Sequence, residues 1–158
     1  MQDIAEFIAG QLKDLFNLAF IMIEEKRYED AKNAYQNAAT LSEVAGYTEG
    51  VKMAFMSLAN LYILQDDCME AFSYARLAKK SVEQNANLSN KDVDELLGKL
   101  ALSILKQGIE LEKNQEYDKA YSIFEMILPY LGIKRAAVVQ QEMKVLEKYR
   151  VRIQEEKQ

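Results

Sequence analysis

Three short segments of the chain repeat one pattern, an aromatic or small residue followed three positions later by alanine: Tyr28 to Ala31, Cys68 to Ala71 and Tyr117 to Ala120. Leu18-Ala19, Leu58-Ala59 and Gln107-Gly108 occupy equivalent places upstream, and Ala38, Ala78 and Ile127 stand seven residues past the anchoring alanines. This recurrence restricts the fold more than any single motif does. Small residues let two antiparallel helices approach where they cross, and larger ones such as Leu18, Tyr28 and Tyr35 fill the space beside them. One such hairpin cannot bury its own apolar face, so copies must stack and share a core.

The rest of the chain reads as helix. Six glycines and one proline leave few places for turns, and no stretch alternates apolar with polar residues. Val93, Leu96, Leu97, Leu100, Ala101, Ile104, Leu105, Gly108 and Leu111 draw one apolar stripe in steps of three and four, which predicts a helix over 91–113. Ser89, three residues before Asp92, reads as a capping box for it. Six further helices are predicted over 3–25, 28–45, 48–64, 69–84, 117–131 and 134–156, with Asp67 as an N-cap and Gly46 as a stop. Pro129 should shorten or kink the sixth, and 85–90, a polar run rich in asparagine, reads as a surface loop.

With three such copies in helical context, the sequence resembles the tetratricopeptide repeat family. The anchoring alanines are 40 and then 49 residues apart, against a usual period of about 34. The first spacing, with Ala45-Gly46-Tyr47 and Glu49-Gly50 leading into Ala54, is similar to a longer-helix subclass found in kinesin light chains and Pins-type scaffolds; the second implies an insertion near 85–90. The resemblance implies an all-α fold, a right-handed α-α superhelix of three helical hairpins plus a capping helix, about seven helices in all. On this reading residues 1–158 form a single domain, with repeats at about 12–45, 48–84 and 91–131 and the cap at 134–156.

In that family ligands bind a concave surface lined by the first helix of each hairpin. Carried over position by position, this implies a lining of Lys13, Phe16, Phe20, Ile23 and Glu24, then Met53, Met56, Asn60, Ile63 and Leu64, then Leu102, Leu105, Ile109, Glu112 and Lys113, of which Phe16, Phe20, Ile23, Met53, Met56, Asn60, Ile63, Leu105 and Ile109 make the expected partner groove. Members that grip a C-terminal carboxylate carry lysine, arginine and asparagine there; only Asn60 fits, so a carboxylate clamp is not expected. An apolar lining suits an amphipathic helix or extended apolar segment, with the methionines adapting to it. The same lining is equally explained if the N-terminal segment or the last helix fills it, or if two copies associate.

Composition narrows the function classes. There is no histidine, which removes histidine-based triads, dyads and metal sites. The single cysteine, Cys68, forms no internal disulfide and stands where the other repeats carry tyrosine, so a packing role is favoured over a reactive thiol. The acidic pairs Glu24-Glu25, Asp66-Asp67 and Glu155-Glu156 fall near predicted helix ends, where caps and solvated charges are ordinary, and Asp92-Val93-Asp94-Glu95 lacks the glycine and final glutamate of a calcium loop. No cofactor, metal or catalytic residue is expected. A net charge of −5 with scattered basic residues argues against nucleic acid and anionic membrane. The longest apolar run, Leu15 to Ile23, contains Asn17 and cannot span a bilayer, and Asp3 and Glu6 stand where a signal peptide would be basic.

The resulting expectation is a soluble, cytoplasmic, non-enzymatic module that binds a protein or peptide. A small chaperone or adaptor for one client, or a small-molecule or peptide sensor, are the alternatives. Val139, Met143, Leu146 and Ile153 of the last helix suit either a solenoid cap or a homodimer contact, with Arg150 interrupting the seam.

Overall fold

The computed structural model describes residues 2–85 and 87–156, leaving aside the side chains of Gln2, Val151, Ile153 and Gln154. Among the described residues there are seven α-helices and no strand. They are α1 (Gln2–Glu24), α2 (Tyr28–Val44), α3 (Thr48–Leu64), α4 (Cys68–Glu83), α5 (Lys91–Lys113), α6 (Tyr117–Ile127) and α7 (Ile133–Glu156). Pro129 acts as expected: α6 stops at Ile127 and the chain tightens into a 3-10 turn over Leu128–Tyr130.

The turn inside each hairpin is the same device three times. Lys26, Asp66 and Gln115 take positive φ, at 61°, 59° and 64°. The amide of the residue after each reaches back over the last helical turn: Arg27 N to Met22 O at 2.7 Å, Asp67 N to Tyr62 O at 2.9 Å, and Glu116 N to Leu111 O at 2.9 Å. This is the Schellman closure, usually built on glycine because a Cβ in the left-handed region costs about 1 kcal/mol. Here lysine, aspartate and glutamine bear that cost, which is why glycine counting does not locate these turns. Gly46, at φ 70°, closes α2 in the same way.

The chain divides into two compact units, Met1–Asp94 and Glu95–Gln158, with the boundary inside α5. In the first, α1 packs on α2, α2 on α3 and α3 on α4. Ala19, Ala31, Ala34, Tyr35, Leu58 and Leu61 form one buried cluster, and Leu12, Ala38, Ala39 and Ala54 a second. The Asp67 cap holds, its Oδ1 accepting from the Glu70 amide at 3.1 Å. The Ser89–Asp92 capping box does not form. Ser89 Oγ accepts from the Lys91 amide at 3.3 Å, while the Asp92 carboxylate turns to Lys52 Nζ at 2.9 Å. Lys79 holds Asp94 at 2.7 Å, so the charged first turn of α5 is bound by two lysines from α3 and α4.

In the second unit Ala120, Phe124, Val139 and Leu146 are buried together, with Leu105, Leu111, Tyr117, Tyr121 and Met143 packed around them. Gly108 sits against this cluster, and a Cβ there would lie 2.6 Å from Phe124 Cε1 and 3.0 Å from Ile123 Cγ2. The apolar seam of α7 therefore faces α6, with the Ile153 side chain outside the described residues. Arg150 Nε bonds Asp118 at 2.8 Å and its guanidinium lies 4.3 Å from the Tyr121 ring centre, while Tyr149 stacks on Tyr117 at 5.3 Å.

The anchoring alanines Ala31, Ala71 and Ala120 are all completely buried, as are Ala38, Ala78 and Ile127. Cys68 is half-buried rather than fully enclosed, in the same burial class as its equivalents Tyr28 and Tyr117, because the first residue of a helix after a tight turn keeps one side in solvent.

Candidate functional site

The nine residues expected to line a partner groove fall in both units. In the first, Phe20, Met53, Asn60 and Ile63 are exposed on α1 and α3. Phe20 is 59% exposed, too open for a core side chain of its size. Phe16, Ile23 and Met56 are half-buried. Phe16 and Ile23 pack on the Ala19–Leu61 cluster, and the Phe16 ring lies 5.9 Å from Tyr35. Phe16 and Ile23 are therefore supports of the surface more than contacts on it.

Leu105 and Ile109 belong to the second unit, where they line a cleft of about 310 Å³ with Phe124 and with Val138, Val139, Lys134, Arg135, Glu112 and Glu142. The walls come from α5, α6 and α7, so the last helix covers part of the lining carried by the third hairpin. The floor is apolar, Lys134 and Arg135 bring cationic side chains, and Glu112 and Glu142 bring two facing carboxyl groups. Burial first, and then the hydrogen-bonded Glu142 carboxylate, push the Glu112 carboxyl up to about 7. Two carboxylates held this close share a proton more readily than they both ionise, and a cation placed between them would reverse that preference.

Glu112 stood among the family-derived positions, but Glu142, Lys134, Arg135 and Val138 had no sequence signal. Glu142 lies 30 residues from Glu112, and nothing in helical periodicity reports which residues of two distant helices will meet.

The pair makes stability depend on pH. Between the ordinary value near 4.5 and about 7, folded Glu112 holds a proton that the unfolded chain gives up. Its contribution is complete below about 4.5 and is lost as pH rises through about 7. Thermal melts from pH 5 to 8 should show the parent losing stability across this window, and Glu112→Gln should flatten that slope. An unchanged slope in the variant would assign the dependence to other groups.

Among the described residues no group of three or more cysteine, aspartate or glutamate side chains is placed to hold a metal ion, and no helix is long and apolar enough to cross a membrane. The chain matches no known protein-family model and no curated protein.

Proposed function

We propose that this chain is a cytoplasmic, non-enzymatic interaction module of the tetratricopeptide type, a right-handed superhelix of three hairpins and a cap. It holds a helix or extended apolar segment of a protein partner against the first helices of its hairpins. The observation that carries this reading is the exposure of Phe20, Met53 and Ile63 on α1 and α3, with Phe16 and Ile23 of α1 packed against the core cluster. Large apolar side chains held in water on packed helices lower the cost of ordering a partner on that surface. The acidic balance of the chain favours such a partner over nucleic acid or anionic lipid.

Capture from a source-cell lysate, with mass spectrometry, identifies the partner, and Phe20→Ala tests the surface. The variant should keep the parent's helicity and melting temperature because Phe20 is 59% exposed. It should weaken binding in titration calorimetry by about 2 kcal/mol, the size of an aromatic hot spot. Undiminished binding with an intact melt would put the partner on another face. The cleft between α5 and α7, with two carboxyl groups and two cationic side chains around an apolar floor, supports the alternative of a peptide or small-molecule sensor, for which an apolar ligand bearing polar groups of both signs is the matching chemistry.

A further inference from the structure

The first and second hairpins differ in one respect that their sequence period makes visible. In α3, Val51, Ala54, Leu58 and Leu61 are all buried, and Leu58 and Leu61 belong to the cluster built by α1 and α2. Forty residues earlier the same positions of α1 are Gln11, Asp14, Leu18 and Ile21, and all four are exposed. Leu18 is 44% and Ile21 50% exposed, against 0% and 1% for Leu58 and Leu61. The face that α3 lays against the preceding hairpin is exposed in α1.

Two more large side chains extend this face toward the start of the helix, Ile4 at 65% and Phe7 at 64% exposed. Residues 4, 7, 11, 14, 18 and 21 alternate in steps of three and four, the spacing of a coiled-coil seam. The seam is also self-complementary about its midpoint. When a second α1 runs antiparallel across a two-fold axis, Ile4 meets Ile21, Phe7 meets Leu18, and Gln11 meets Asp14, where the amide can donate to the carboxylate. Apolar pairs thus fall on apolar pairs and the two polar positions fall on each other. We propose that a second copy of this chain covers this face, through an antiparallel, two-fold-symmetric contact between the two α1 helices.

The seam is about 25 Å long and one helix wide, and it hides on the order of 1,000 Å² over both chains, near the lower limit of specific interfaces. Gln11 and Asp14 set the register of the dimer at the expense of its strength. The centre of the seam lies about 150° round the helix axis from Phe20, so the contact goes beyond the proposed partner surface and stands or falls separately from it.

Sedimentation of the full chain from micromolar to millimolar concentration should show a monomer–dimer equilibrium. Leu18→Glu/Ile21→Glu should weaken it by about a hundredfold or more with unchanged helicity, since both side chains are already exposed in the monomer. Gln11→Leu/Asp14→Leu should tighten it by about tenfold by replacing the polar register with apolar contacts. Orientation is read by disulfide trapping in a Cys68→Ser background. A mixture of Ile4→Cys and Ile21→Cys chains should cross-link, whereas neither should cross-link alone, because like positions lie about 25 Å apart along antiparallel helices. A chain that stays monomeric throughout, a dimer unaffected by Leu18→Glu/Ile21→Glu, or efficient trapping of Ile4→Cys with itself would overturn the proposal.

Discussion

Phe124→Ala is expected to lower the stability of the protein by about 3–5 kcal/mol, the cost of removing a buried aromatic ring from a site that cannot collapse. The ring is 1% exposed and shares its cluster with Ala120, Val139 and Leu146, so the void would open where α6 and α7 meet. Gly108→Ala should also destabilise, by about 1–3 kcal/mol, although alanine is the better helix former, because the new methyl would lie 2.6 Å from Phe124 Cε1. The two changes should not add. With the Phe124 ring gone the main obstacle to a Cβ at position 108 is gone too, and the alanine then gains its helix propensity of about 1 kcal/mol and fills part of the void. Urea unfolding followed by circular dichroism gives all four corners of the cycle. Strict additivity would mean that the Gly108 backbone and the Phe124 ring do not constrain each other.

The second large effect is a contrast between two leucines at the same repeat position. Leu58→Ala should cost about 2–5 kcal/mol, since the side chain is fully enclosed by Ala19, Ala31, Ala34, Tyr35 and Leu61. Leu18→Ala, measured on the dilute monomer, should cost about 1 kcal/mol or less, because nearly half of the side chain is already in water. For a chain of this length, thermal midpoints should move by about 2–4 °C per kcal/mol, which separates the two variants in a single melting experiment. Equal losses would show that Leu18 is enclosed in solution, by a second copy or by another segment, even at low concentration.

The helices were legible from local chemistry. Predicted and observed limits coincide for α3 and α5 and differ by a residue or two for α1, α2, α4 and α7, because apolar period, cap and stop act over one or two turns. The alanine anchors were legible for a related reason: a position that admits only a small residue in three copies is a position where backbones cross. The turns at Lys26, Asp66 and Gln115 were placed by the helices around them, while their left-handed backbone carried no residue signal.

What the amino-acid sequence determined by itself was therefore the set of helices, their hairpin pairing and the faces they bury at the crossings. Tertiary structure alone decided which apolar residues stay in water, so that Leu58 is core while Leu18 is surface, and Phe72 is enclosed while Phe20 is open. It also decided that Leu105 and Ile109 line a cleft with α7, that Glu112 meets Glu142, and that Lys52 takes Asp92 away from the cap expected for it. The physical reason is range. A helix forms on information within a turn or two of itself, whereas the exposure of its outer face and the partners of its charges depend on which distant helix arrives beside it.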